Sequence, residues 1–130
     1  MTIESILNCK TIAVVGISDD PARPSHYVAS FLAEHGYNII PVNPKLTEWE
    51  GKKCYPDLLS IPVKVDVVDI FRRSEAVPPV VDEANAIKAK AVWMQEGIVN
   101  EEAAAKARKA GIEVVMDRCM KKEYIRLRVS

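Results

Sequence analysis

The 130-residue sequence has no excess of either charge, with 18 Lys and Arg against 18 Asp and Glu. Without a net field or a long block of like charge, the chain has no general attraction for nucleic acid or an anionic membrane. Any anion site must be built locally. Cysteine is scarce: Cys9, Cys54 and Cys119 are odd in number, widely spaced and free of any CxxC pair. That argues against a disulfide framework and a zinc ribbon, and leaves a reducing cytoplasm as the expected compartment. Long apolar runs are also missing. The start MTIESILNCK meets an acid early and has only a short apolar stretch, so neither a signal peptide nor a membrane span is expected. No repeat or linker interrupts residues 1–130, which read as one domain, large enough to bury about two-thirds of its unfolded surface without cross-links.

What the chain does contain is alternation. Apolar runs of strand length recur at TIAVVGI, NIIPV, VDVVDIF, AVWM and EVVM. Between them lie helical patterns. Val28, Phe31 and Leu32 share a face between Ser25, a candidate N-cap, and Gly36, a candidate C′ glycine. From Pro78 to Ala89, Val80, Val81, Ala84 and Ile87 share another. Asn100 can cap a third helix whose first turn is acidic, whose last turns are basic and which Gly111 ends. Thr2 to Cys9 reads as a short leading helix and CMKKEYIRLRV as a closing one, while residues 44–63 are punctuated by proline and lack a helical pattern. This order predicts a single Rossmann-like, doubly wound α/β domain: a five-stranded parallel sheet, expected in the order 3-2-1-4-5, with helices on both faces. Ligands of such sheets bind beyond the carboxyl ends of the strands, so the residues just after each strand become the candidates.

The first of these loops, GISDDPARPS, joins a strand to a helix start, where exposed amides suit a phosphate. The dinucleotide fingerprint GxGxxG is incomplete, however, since only Gly16 is glycine, and Asp19 and Asp20 would repel an anion if turned inward. After the second strand, where an NAD site offers an acid to the ribose, the chain reads VNPK; Lys45 there fits a phosphorylated ribose, or is simply solvated. The third strand ends in FRRSEAVPP, where Phe71 is placed to flank a base and Arg72 or Arg73 to neutralise phosphate, the alternative being a core Phe71 with surface arginines. WMQEG and MDRC add Gln95, Gly97, Arg118 and Cys119 to the same rim.

The blocks AVVGIS, RPS, GYNIIPVNPK, DVVDIFRRSEAVPPVVDEA, VWMQEGIVNEEAAAKARKAG and VVMDRC together resemble the small stand-alone CoA-binding proteins. Their fold is similar to the N-terminal, CoA-binding domain of the succinyl-CoA synthetase alpha subunit. The resemblance covers nearly the whole chain. It implies coenzyme A lying across the strand ends, with pyrophosphate at Gly16, Ser18 and the Arg23-Pro24-Ser25 turn, and the adenosine end near Asn43, Pro44, Lys45, Phe71 and Arg72. Lys45 and Arg72, expected on adjacent strands about 5 Å apart, would then close on the 3′-phosphate.

No catalytic constellation accompanies these residues, and His26 and His35 read as structural or solvated. The leading expectation is a protein that binds CoA or acyl-CoA without chemistry of its own, with no nucleic acid or membrane partner. Two alternatives remain: an NADP-type oxidoreductase module, motivated by Lys45, and a regulatory or assembly subunit that lends its CoA site to a separate enzyme. Cys119, at a strand end beside Arg118, Lys121 and Lys122, is expected to be the most reactive thiol, open to a mixed disulfide with CoA, the alternative being a small buried residue.

Overall fold

In the computed structural model, which describes residues 1–127, strands and helices alternate from the first strand on. Arg128 and Val129, the end of the stretch read as a closing helix, lie outside the described residues. A short helix α1 (Ile3–Leu7), held by a capping box from Thr2 and Ser5, leads into β1 (Thr11–Val15). Then come α2 (Pro24–Glu34), β2 (Asn38–Val42), a small antiparallel hairpin of β3 (Glu48–Trp49) and β4 (Lys52–Lys53), and β5 (Val67–Ile70). The chain continues through α3 (Val77–Ala86), β6 (Ala91–Met94), α4 (Glu101–Lys109), β7 (Glu113–Val115) and α5 (Met120–Leu127). Among the described residues no helix is long and apolar enough to cross a membrane.

The five parallel strands are buried on both faces because their side chains alternate between two apolar layers. Ile12 and Val14 of β1, with Val67 and Trp93, pack against Val28 and Leu32 of α2 and Met120 of α5. Ala13 and Val15, with Val68, Ile70 and Met94, pack against Val81 and Ala84 of α3 and Ala103 and Ala107 of α4. The doubly wound class is therefore as expected, but the strand order is not. The sheet runs β2-β1-β5-β6-β7, which in order of appearance is 2-1-3-4-5 rather than 3-2-1-4-5.

The reason lies in residues 44–66. A third strand outside β2 would need a crossover helix to cover it, and this segment supplies only the hairpin and a 3-10 turn at Leu58–Ser60. It also closes the outer edge of β2: Tyr55 N–H donates to the Pro41 carbonyl, and Asn43 N–H to that of Tyr55, at 3.0 and 2.9 Å. With that edge taken, the chain returns across the sheet. β5 then pairs with β1 from Ile12 and Val67 to Val15 and Ile70, so the order reverses between β1 and β5.

Local signals set the helices with one correction. Asn100 Oδ1 accepts from Ala103 N–H at 2.9 Å, as a cap for α4. Ser25, by contrast, is not the cap of α2. Pro24, which lacks an N–H and has a fixed φ suited to a first helical position, starts the helix two residues earlier than a Ser25 cap would. Arg23 stands at the N-cap without a side-chain bond.

Gly16 follows β1 at the reversal point with φ +86°. A Cβ there would overlap the Phe71 carbonyl oxygen and lie 3.1 Å from the carbonyl carbon. The expected reason for this glycine, room for a pyrophosphate, is thus joined by a stricter one, room for the chain leaving β5. Gly36 also has positive φ, but open space around it. In urea unfolding, Gly36→Ala is expected to cost about 1–2 kcal/mol, the left-handed penalty alone, and Gly16→Ala about 1–3 kcal/mol more for the overlap. Equal losses would show that Phe71 does not confine the loop.

Candidate functional site

A cleft of about 980 Å³ opens at the carboxyl edge, over the reversal between β1 and β5. Its floor is the first loop. The amides of Ile17, Ser18 and Asp19 donate to no atom of the described residues, and neither does that of Ser25 in the uncapped first turn of α2. Ser18 Oγ accepts from Asp20 N–H, and Asp20 Oδ1 from Ala22 N–H, both at 3.0 Å. Asp20 is thereby drawn into its own turn, while Asp19 remains on the cleft. Arg23, Pro24 and Ser25 form the adjoining wall.

Beyond β2, Asn43 organises rather than reaches out. Its Nδ2 donates to the Ile17 carbonyl at 2.7 Å and its Oδ1 accepts from Lys45 N–H at 2.9 Å, tying this turn to the first loop. Lys45 lines the cleft. Phe71 lines it too, with its ring against the core layer beneath α2, and the stem of Arg72 passes beside Gly16. Since β1 separates β2 from β5, Lys45 and Arg72 stand two strand spacings apart, roughly 10 Å, and not on adjacent strands as expected.

Gln95, 4 % exposed, follows β6 and accepts from Met120 N–H with Oε1 at 3.1 Å, capping α5. Cys119 stands just before that helix and lines the cleft. Three sequence candidates fall outside it. Pro44 is exposed beyond the β2 turn, Gly97 N–H is held by Asp117 Oδ1 at 2.7 Å, and Arg118 turns to Glu123 at 3.6 Å. Sequence reasoning missed Tyr27, Ile98 and Ile125 and placed Lys121 and Lys122 only beside Cys119, yet all five line the cleft. Helical spacing in KKEYI was the available signal: Lys121, Lys122 and Ile125 share one face of a helix that begins at a strand end.

The charges divide the cleft. Arg23, Lys45 and Arg72 have no acidic partner among the described residues. At the other end Lys122 pairs with Glu96 at 3.0 Å, and Lys121 lies over the Phe31 and Tyr27 rings, 5.0 and 5.7 Å from their centroids. Arg126 and Arg118 both turn to Glu123, whose carboxyl is held below the usual range chiefly by its hydrogen bond to Arg126. One end thus holds free amides and three unpaired cations beside Asp19 and the Glu75-paired Arg73, and the other holds the paired Lys122 and the ring-covered Lys121 with Tyr27, Ile98 and Ile125.

The histidines take no part. His26 donates through Nε2 to Glu50 Oε1 at 2.8 Å and packs near Trp49, and His35 donates through Nδ1 to the Phe31 carbonyl at 2.7 Å.

These features define a class, a doubly wound α/β domain whose carboxyl-edge cleft suits an anionic ligand at one end. The family model described as a CoA binding domain matches residues 10–125. The chain belongs to that family. An uncharacterized protein, YneT of Bacillus subtilis, is 44% identical over 118 residues, covering 91% of this chain and 87% of its own. The alpha subunit of an ADP-forming acetate–CoA ligase from Pyrococcus furiosus is 36% identical over 98 residues, 71% of this chain but 21% of the subunit. A solved structure, a hypothetical protein from Pyrococcus horikoshii, superposes with a TM-score of 0.93 at 44% identity, over 98% of this chain and 92% of that one.

One buried acid lies below the cleft. Asp69 of β5 sits between Val14 and Trp93 in register, fully buried, with neither carboxyl oxygen hydrogen-bonded. Burial pushes its carboxyl well above the usual carboxylate range. In the unfolded chain it ionises at the ordinary value. Between that value and the raised folded one, the native state holds a proton the unfolded state has lost, so stability falls as pH rises. The contribution is complete only below the ordinary carboxylate range. Glu123 acts in the opposite sense, adding stability above that range and losing it as pH falls. Measured by urea unfolding from pH 4 upward, Asp69→Asn is expected to gain on the native protein as pH rises; parallel curves would mean that Asp69 does not titrate on unfolding.

Proposed function

We propose that the protein binds coenzyme A or an acyl-CoA along this cleft, without catalysis of its own. The division of charge carries the reading. A nucleotide with phosphates at one end and an uncharged pantetheine at the other matches three unpaired cations and free amides followed by a paired lysine, a ring-covered lysine and apolar groups. The amides of Ile17, Ser18 and Ser25, with Arg23 and Arg72, suit the pyrophosphate at the reversal point. Lys45, beyond the next strand, suits the 3′-phosphate of the ribose, and Phe71 the adenine. Tyr27, Ile98 and Ile125 are left for pantetheine and any short acyl group. Membership of the CoA binding domain family supports the ligand. The engagement of both histidines away from the cleft supports binding without catalysis.

Separating Lys45 from Arg72 makes the reading testable by calorimetry. A partly desolvated charge-assisted contact is worth about 1.5–3 kcal/mol, so CoA is expected to bind at least about tenfold more tightly than dephospho-CoA. Lys45→Ala should remove most of that difference, whereas Arg72→Ala should weaken both ligands alike. Equal affinity of native protein for the two ligands would move the adenosine end away from Lys45, and no binding of either would overturn the function. NADPH is expected not to displace CoA. Displacement would favour the oxidoreductase alternative, and a protein recovered with the native chain and its CoA would favour the subunit alternative.

A further inference from the structure

The three thiols differ in surroundings. Cys9 Sγ donates to the Ser5 carbonyl and Cys54 Sγ to the Asn43 carbonyl, each at 3.7 Å, and burial pushes both thiols up. Cys119 is itself buried, 8 % exposed, but its Sγ has no hydrogen-bond partner among the described residues, and of the three only Cys119 lines the cleft. Its carbonyl accepts from Glu123 N–H at 2.9 Å, which puts the thiol at the entry to α5. Lys122, held above the usual lysine range first by its hydrogen bond to Glu96, also feels the Cys119 sulfur.

A second group points to a ligand at the same place. Gln95 is 4 % exposed and its Oε1 is taken by Met120 N–H, yet its amide N–H groups meet no acceptor among the described residues and border the cleft. These N–H groups, on a residue otherwise packed away, reach the cleft and are open to an acceptor from a ligand or water. The amide carbonyls of a pantetheine chain are such acceptors. With the phosphates at the cationic end, the sulfur of that chain comes to the end where Cys119 stands.

We propose that Cys119 is a site of thiol–disulfide exchange with CoA disulfide, so that the protein carries CoA covalently and reversibly. The inference rests on the CoA reading above. The Cys119 thiol loses its proton to solvent, and its sulfur attacks one sulfur of the CoA disulfide. The bond between the two CoA sulfurs breaks as the new bond forms. One CoA leaves as thiolate and takes up a proton, so the protein thiol is oxidised to the disulfide level while half of the reagent is reduced. A small thiol reverses the step by attacking the mixed disulfide and releasing CoA.

The test treats reduced native protein with CoA disulfide and follows intact mass and peptide maps, with glutathione disulfide at equal concentration as comparison. The expected result is one added CoA, on Cys119, absent from Cys119→Ser and formed at least about tenfold faster than the glutathione adduct, the worth of one charge-assisted docking contact. Arg72→Ala should slow the CoA reaction by a similar factor and leave the glutathione reaction unchanged. An adduct confined to Cys9 or Cys54, or equal rates for the two reagents, overturns the proposal. Calorimetry with CoA under reducing conditions separates the failures. CoA binding without a Cys119 adduct defeats this inference alone, while no CoA binding defeats the reading beneath it as well.

Discussion

The approach of Gly16 to the Phe71 carbonyl sets the geometry on which the cleft depends. Two chains leave adjacent parallel strands and diverge to opposite faces of the sheet, and no side chain fits between them. At that divergence the first loop lies flat, its amides remain free, and Arg72 passes alongside. A sheet with β5 placed outside β2 would have separated these groups. The strand order is therefore part of the site.

Around this point the protein uses polar side chains to hold its own loops, which frees others for a ligand. Asn43 ties the β2 turn to the first loop, Trp49 Nε1–H donates to the Ser18 carbonyl at 2.9 Å, and Gln95 starts α5. Glu123 takes two arginines, and Glu96 takes Lys122. The Lys122–Glu96 pair is exposed and contributes little to stability. The effect of these pairs is on the field: acids pair with Arg118, Lys122 and Arg126 at the α5 end, while Arg23, Lys45 and Arg72 at the first-loop end pair with none. In a chain of zero net charge, this arrangement gathers unpaired cations at one end of the cleft without a basic surface. The matched enzymes of the family carry the same fold within much longer chains; the residues matched here make up 21% of the Pyrococcus ligase subunit.

Elements whose causes are local were legible in the sequence. α4 has its cap in Asn100, its charges in order along the dipole and its stop at Gly111, all within twelve residues. The strands NIIPV and AVWM match β2 and β6 residue for residue, because burial on both faces leaves an unbroken apolar run. Most rim residues were legible through one inference, that ligands gather at the carboxyl ends of parallel strands. The exceptions depend on how α5 and its approach are folded. Gly97 is held by Asp117 and Arg118 is drawn to Glu123, and α5 folds Lys121 and Ile125 over a cleft whose other walls are far away in sequence.

Hydrophobic period and capping chemistry alone settled the alternation of strands and helices and the parallel sense of the sheet, since each depends on neighbours within a few turns of chain. The motif blocks alone indicated the family. Tertiary structure decided the strand order, through Tyr55 closing the outer edge of β2. It also decided the separation of Lys45 from Arg72 and which cations kept a free charge. Those outcomes are set by competition among groups tens of residues apart for the same edges and the same carboxylates, and no local pattern in the chain records who wins.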